Sequence, residues 1–448
     1  MSGLAAGIRL AMFDQKVLVL EKHSLPGGLN SFYRRKGRNL DVGLHALTNF
    51  MKKGEKAKPL GKILKQLRIP YDSLQLMEQK RSVVHFPNHR LAFSNDLELF
   101  KAEIAREFPD QVQGFSELLE MLEAYNEVDL EAKAEMAKEV VAKYITNEEL
   151  LEMIFCPLMV YGSAWEDDMD FAQFAIMFQS IFMEGFSRPR GGVRTLISLL
   201  MDKLKASGCE IRFNQGVKQI NAPEGKLQSV VLASGETLSA NRVFSSAGHR
   251  ETLNLCSPQV NHFEQSSPVG RLSFVECIFH FSCKPSDLGL HETIIFYNNH
   301  AKYVYKRPEE LIDARSAVVC MPNNFSEDDQ EEGVVRVTFM ANYDKWKELG
   351  KEEYKEAKER VAQAALALIF EISAQEQKFP VFSDVFTPLT VERYTGHLQG
   401  SIYGSPKKLR KGETFVENIF LCGTDQGFLG ISGSLLSGIS MANLHGLK

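Results

Sequence analysis

The hydrophobic pattern begins as a helix. Leu4, Ile8, Ala11 and Met12 recur at i, i+4, i+7 and i+8, one face of a 3.6-residue period. Asp14-Gln15 breaks the pattern. Lys16 to Leu20 is then an apolar run too short for a helix, and it suits a parallel strand buried on both faces. Short strands are expected at Ser31–Tyr33 and Asn39–Val42, and helices through residues 97–155 with a break at Pro109. Val193–Ala206 predicts a second periodic helix, capped by Gly208. Strands follow at Cys209–Phe213 and Gly216–Ile220, then a hairpin of Val230–Ala233 and Thr237–Ala240 around Ser234-Gly235, and a strand at Arg242–Gly248. Residues 270–340 alternate apolar and polar, as in Val334-Val335-Arg336-Val337-Thr338-Phe339, which predicts an antiparallel sheet. Residues 344–373 read as one long helix. The end of the chain predicts a buried strand, Asn418–Cys422, a glycine-rich loop, Gly423–Gly433, and a helix, Ser434–Leu444.

Several positions in this pattern carry chemistry. Glu21 ends the first strand 18 residues after Gly3. An acid near that spacing holds ribose hydroxyls in βαβ nucleotide units, and a solvated acid at a strand end is the alternative. Pro26-Gly27-Gly28 is either a turn or a place where backbone approaches a ligand closely. Residues 171–186, FAQFAIMFQSIFMEGF, form a Phe and Met stripe that fits a packed core or the wall of an apolar channel. Backbone N–H groups at the start of the last helix, reached through glycines, suit an anion or an electron-rich ring edge.

Composition narrows the classes. The 448 residues are 44% apolar and 24% charged with a net charge of −5, so a sizeable core is expected and nucleic acid is not an expected partner. Seven cysteines without a C-x-x-C pair favour reduced thiols and a cytoplasmic setting. The eleven histidines show no metal-ligand spacing, so no metal is expected. No apolar run reaches the about 18 residues of a membrane span, and the N-terminus lacks the basic region of a signal peptide. The basic stretch from Lys52 to Arg68, with Lys53, Lys56, Lys58, Lys62 and Lys65, is a solvated face or a peripheral membrane contact.

Together these features resemble the FAD-dependent phytoene desaturase, carotene isomerase and retinol saturase family, within the wider amine-oxidase-like flavoproteins. The resemblance spans nearly the whole chain. It rests on Gly3 and its helix, Glu21, Pro26-Gly27-Gly28, Asp41-Val42-Gly43, Gly191, Gly192 and Val217, and on Leu421–Asp425 through Gly430 and Gly433. It implies an α/β fold: a Rossmann-like FAD-binding domain from residues 1–70, 190–265 and 395–448, and a mixed α+β substrate domain from 71–189 and 266–394. It also implies roles. Glu21 would bind the adenosine ribose, Gly27 and Gly28 would lie along the ribityl and pyrophosphate, and Val217 would meet the adenine through its backbone. Asp425 would bond the ribityl or pyrophosphate end. Gly430, Ile431, Ser432 and Gly433 would face the flavin ring. Residues 171–186, with part of the 270–340 sheet, would line an apolar tunnel. His45 and Tyr403 lie in segments expected near the flavin and are the catalytic candidates, although packing or hydrogen bonding is the plainer role for each.

The start departs from the family. Its members carry a strand and two further glycines before the position of Gly3, whereas here only Met1 and Ser2 precede it. That strand is buried, and losing about five core side chains at roughly 1.5–3 kcal/mol each rivals a domain's whole stability of about 5–15 kcal/mol. The sequence is therefore expected to be an N-terminally truncated reading of a longer protein. The expected activity is an FAD-dependent oxidoreductase, a desaturase, isomerase or saturase of a long apolar polyene or isoprenoid such as a carotenoid. An amine-oxidase-like enzyme and a degenerate, non-catalytic lipid-binding homologue are the alternatives.

Overall fold

Residues 1–43, 45–55, 57–126, 133–258, 268–328 and 330–447 are described by the computed structural model. Leu44 of the DVGLH phrase, Lys56 of the basic stretch, residues 127–132 of the helical region and the expected segment junction at 265/266 lie outside them.

Helix Ser2–Ala11 buries Leu4, Ala5 and Ile8. It packs them with Leu196, Leu200 and Leu204 of helix Val193–Ala206 and with Leu435 and Ile439 of the last helix. Close approach needs small residues on both sides. A Cβ at Gly7 would press on Val19 and Leu204, and one at Gly438 would strike the Ser2 carbonyl. Two parallel ribbons lie beside this helix, Leu18–Leu20 with Glu210–Arg212 and Val243–Ser245 with Ile419–Leu421. Leu20 and Val243 pack on one cluster, and Val17 and Phe244 on another, so the ribbons stand side by side. This is the expected α/β arrangement. The expected 216–240 strands form a four-stranded sheet ordered Thr237–Leu238, Ser229–Leu232, Val217–Asn221, Cys256–Ser257. Helix Pro59–Leu67 buries Leu60, Ile63, Leu64 and Leu67, which leaves the lysines of the basic stretch on its outer face. Two of those cations are paired locally, Lys53 with Asp72 at 2.6 Å and Lys58 with Glu55 at 3.4 Å.

The rest of the molecule is organised on one seven-stranded sheet. Its order is Phe382–Phe386, Ser273–Phe281, Gly333–Ala341, Ser316–Cys320, Ile294–Asn298, Ser82–His85, Arg90–Phe93. All pairings are antiparallel except Ile294–Asn298 with Ser82–His85. Successive side chains point to opposite faces. Val275, Cys277, Phe279, Val335, Val337 and Phe339 meet Ala357, Val361, Ala365 and Ile369 of helix Lys351–Ser373. Phe274, Met340, Val318 and Cys320 meet the helical Phe and Met cluster on the other side. Both long strands are buried along their whole length. The antiparallel sheet is as expected, and its polar positions Arg336 and Thr338 are buried too.

Two further expectations change. The helix over 344–373 is two, Tyr343–Glu348 and Lys351–Ser373, because Gly350 opens a new first turn and donates its N–H to Glu353 Oε2 at 2.8 Å. The last helix begins at Gly430 rather than Ser434, so Ile431, Ser432 and Gly433 form its first turn. Gly430 enters that turn with φ +70°, a conformation that favours glycine.

Candidate functional site

Three loops converge beside the first turn of the last helix. The turn at Gly27–Asn30 rests against Gly43, where a Cβ would strike the Leu29 carbonyl. The segment after Gly43 reaches the last helix, and Ser432 Oγ donates to the Thr48 carbonyl at 3.4 Å. The third loop is Gly423–Leu429. Its Asp425 is buried and accepts from the backbone N–H of His249 at 2.6 Å and of Ser405 at 2.8 Å. Asp425 thus ties the 248–249 turn and the 403–408 loop to the glycine-rich loop.

The expected cofactor residues are placed as follows. Glu21 directly follows the strand Leu18–Leu20, and its Oε1 accepts the His23 N–H at 2.9 Å. Gly28 and Gly430 both have open space where a Cβ would stand, whereas Gly27 is closed in by the Asn30 carbonyl and Ile197. Ile431 and Ser432 are buried in the first turn of the last helix, and Gly433 lies tight on Phe428. Gly3 sits in the first helix, where a Cβ would make an ordinary contact with Ser246 at 3.5 Å. Val217 opens one of the two inner strands of the four-stranded sheet. Gly28 and Gly430 are exposed, so a ligand could meet the backbone at either without a side chain in the way.

The two catalytic candidates differ. Tyr403 donates its hydroxyl to the Val160 carbonyl and sets its ring edge-on to Phe274, with centroids 6.1 Å apart. Burial pushes its pKa up, so it is a neutral, committed donor. His45 Nε2 lies 3.1 Å from Thr338 Oγ1 and 3.5 Å from Glu276 Oε1. Burial lowers its pKa against the pull of Glu276, which favours the neutral ring.

His45 belongs to a buried charge cluster absent from the sequence reading. Arg336 Nε donates to Glu276 Oε1, and its Nη2 to the Asp41 carbonyl at 3.1 Å. Arg188 Nη2 donates to Asp41 Oδ2 at 2.5 Å and its Nη1 to the His45 carbonyl at 3.4 Å. Glu276 and Arg336 are each only 2% exposed. Burial alone would raise the Glu276 pKa, yet Arg336 and His45 outweigh it and hold the carboxylate down at about 2. Gly192 makes room for this cluster. Its φ is +75° and a Cβ there would collide with the Asp41 carboxylate, so the Gly191-Gly192 pair serves close approach as well as helix entry. The sequence did carry a signal. Arg336 is the one charge within Val334–Phe339 and Glu276 the one within Phe274–Phe279, both in otherwise apolar runs. The shared sheet face follows from pairing that local pattern does not reveal.

A cavity of about 720 Å³ adjoins the glycine-rich loop. Gln426–Leu429 form one wall, Gly162–Trp165 another, Ala172, Gln173 and Ile176 a third, and the 406–413 segment a fourth. The Phe and Met stripe is mostly core rather than tunnel wall. Phe174, Phe178, Phe182 and Phe186 are fully buried among one another and neighbouring rings. Of the stripe, Ala172, Gln173 and Ile176 line the cavity. Beside the cluster, the Tyr161 hydroxyl is buried without a hydrogen-bond partner, and its ring stacks on Phe186 at 5.4 Å.

Comparison with known proteins supplies the family. A profile of flavin containing amine oxidoreductases matches residues 1–444. Prolycopene isomerase of Arabidopsis thaliana is 23% identical over 457 residues, covering 92% of this chain and 74% of its own. All-trans-retinol 13,14-reductase of Danio rerio is 20% identical and covers 99% of this chain and 84% of its own. Among solved structures, an oxidoreductase from Methanosarcina mazei has the same fold, with a TM-score of 0.69 at 14% identity, covering 99% of this chain and 98% of that one. With an α/β fold and a match along nearly its whole length, this chain belongs to the flavin containing amine oxidoreductase family and is an oxidoreductase.

Proposed function

We propose that the protein binds FAD and exchanges a hydride with a long apolar polyene or isoprenoid of the carotenoid kind. The observation that carries this reading is the cavity of about 720 Å³ against Gln426–Leu429, one residue before the open side of Gly430. That volume lies within the range of about 300–1,000 Å³ typical of small-molecule sites. The names of the relatives, a prolycopene isomerase and a retinol reductase, point to the same substrate chemistry. Four basic side chains, Lys407, Lys408, Arg410 and Lys411, line the cavity against two acids, Asp170 and Glu413, which disfavours a cationic amine.

Residues 1–70, 190–265 and 395–448 would hold the nucleotide, and 71–189 and 266–394 the substrate. The Glu21 carboxylate would accept from ribose hydroxyls, and the Val217 backbone would meet the adenine. Gly27 and Gly28 would let the chain lie along the pyrophosphate. Asp425 would take the ribityl end while its amide bonds keep the loop in place. The first turn of the last helix, Gly430–Gly433, would aim its free N–H groups and positive dipole end at the ring. When bound, the flavin supplies a two-electron carrier for a hydride leaving or reaching an allylic carbon. The chain's own work is positioning and exclusion of water. The Phe-rich core fixes the wall that carries Gln173 and Ile176, and neutral His45 holds a proton at one ring nitrogen beside Thr338. Glu276 and Arg336 keep that ring in place.

The test is product analysis. Flavin-loaded protein is incubated anaerobically with prolycopene, phytoene and an all-trans polyene, with the flavin either oxidised or reduced, and the extracts are separated by chromatography. A changed double-bond number or geometry in one substrate is expected. A flavin-loaded protein that alters none of them, yet oxidises amines, would overturn the proposal.

A further inference from the structure

Helix Pro59–Leu67 has an outer face whose charges are all of one sign. Leu60, Ile63 and Leu64 pack inward with Ile431, Leu435 and Ile439 of the last helix. Lys58, Lys62 and Lys65 recur at i, i+4 and i+7, a single stripe on the opposite side. Lys62, Lys65 and the following Arg68 are exposed. Residues 51–70 hold seven Lys and Arg against one acid, Glu55, in a chain whose net charge is −5. Helix stability does not ask for this pattern. Lys65 and Arg68 complement the C-terminal end of the helix dipole, but Lys58 and Lys62 stand towards its N-terminal end, where a cation gains nothing, and the first turn holds no acid.

The nearby acids are already engaged. Glu55 Oε2 accepts the Lys52 N–H at 2.7 Å and lies 3.4 Å from Lys58, and Asp72 lies 2.6 Å from Lys53. Lys62, Lys65 and Arg68 form no ion pair among the described residues. The basic face continues onto the end of the first helix. Arg9 donates from Nε to Asn443 Oδ1 at 2.7 Å and from Nη1 to the Gln66 carbonyl at 3.5 Å. Burial and then the like charge of Arg68 lower its pKa, so the two guanidinium groups crowd one another. Arg9 also stands 4.6 Å above the ring of Phe13, an aromatic that is 47% exposed. Asp14, exposed next to Phe13, opposes the patch at its edge.

We propose that this face docks on an anionic lipid surface, with Lys62, Lys65 and Arg68 against the headgroups and Phe13 at the boundary with the acyl chains. Cations whose apolar stems lie beside an exposed aromatic suit a bilayer better than a soluble polyanion, because the ring gains an apolar phase to enter. The docking does not involve the flavin and is independent of the reading above.

The test is co-sedimentation of the whole chain with phosphatidylcholine vesicles, with and without phosphatidylglycerol. Binding is expected only when phosphatidylglycerol is present, and it should weaken as salt screens the exposed charges. Each cation near such a surface is worth about fivefold in affinity, so the joint replacement Lys62→Gln, Lys65→Gln and Arg68→Gln should weaken binding about a hundredfold with the far-ultraviolet circular dichroism unchanged. Phe13→Ser should weaken it severalfold and leave the salt dependence in place. Lys345→Gln, Lys351→Gln and Lys355→Gln remove the same charge from exposed positions of helices Tyr343–Glu348 and Lys351–Ser373, and should leave binding as it was. Equal binding to neutral vesicles, no binding to anionic ones, or an equal loss in both triple variants overturns the proposal. Tighter binding to duplex DNA than to the vesicles would assign the face to nucleic acid and overturn it as well. None of these outcomes bears on the flavin reading, since no flavin enters the measurement.

Discussion

Replacing Glu276 with glutamine keeps the shape of the side chain and removes its charge. The residue is 2% exposed, bonded to Arg336 and 3.5 Å from His45. Its carboxylate is held at about 2 rather than 4.5. One pH unit of displacement is worth about 1.4 kcal/mol, so the carboxylate favours the folded state by about 3 kcal/mol at pH 7. That agrees with the about 3–5 kcal/mol lost when one partner of a buried ion pair is removed. The sign follows from the depressed value. The contribution is complete above about 4.5 and is lost as pH falls towards about 2. Glu276→Gln should therefore lower unfolding free energy by about 3 kcal/mol at pH 7 and by only about 1 kcal/mol at pH 3. Urea unfolding followed by far-ultraviolet circular dichroism at the two pH values measures this. Adding Arg336→Met to the variant should recover part of the loss, because the unpaired guanidinium is then gone. A deficit below about 1 kcal/mol at pH 7, or one that widens on acidification, would refute the buried cluster as the source.

Two further substitutions separate cofactor binding from folding, and a third tests a buried hydroxyl. Gly430→Ala meets no atom within 4 Å but must hold φ +70°, so the flavin-free protein should lose only about 1–2 kcal/mol while flavin affinity falls more than tenfold. Comparing thermal melts with flavin titrations tests this, and equal losses in both would contradict a flavin contact at Gly430. Glu21→Gln should weaken FAD by about ten- to a hundredfold and leave FMN, which lacks the adenosine ribose, unchanged in fluorescence titrations. Tyr161→Phe removes a buried hydroxyl that has no partner. It should be neutral or stabilising by about 1 kcal/mol in a thermal melt of the unliganded protein, and a clear loss of stability would mean that the hydroxyl is satisfied.

What the chain reveals by itself is what lies close in sequence. The periodic helix Val193–Ala206 and the strand before the glycine-rich loop emerge as read, because each is specified by its own side-chain pattern, whereas the Lys16–Leu20 run pairs in parallel only over Leu18–Leu20 and is half-buried rather than buried on both faces. The split at Leu349-Gly350 was hidden, since Lys, Glu and Ala on either side are good helix formers and only the return bond from Glu353 ends one helix and starts the next. The addition of Ser82–His85 and Arg90–Phe93 to the large sheet depends on pairing with Ile294–Asn298, more than 190 residues later, and nothing local encodes it. The same distance hid the site's electrostatics. Asp41, Arg188, Glu276 and Arg336 come from four separate segments, and each alone reads as an ordinary charge. The Phe and Met stripe was ambiguous for a different reason. Core and channel wall ask for the same residues, and only the position of Gln173 on the polar side of that helix tells which face meets the cavity.

The proposed function requires a dinucleotide flavin held between Glu21 and the first turn of the last helix. Its most direct test is the visible absorption spectrum of the purified protein reconstituted with FAD, followed by chromatography of the cofactor released on denaturation. The account predicts flavin bands that remain after desalting, with FAD recovered in stoichiometric amount and with FMN unable to replace it. A protein that stays colourless after reconstitution, or that retains FMN as firmly as FAD, would contradict it.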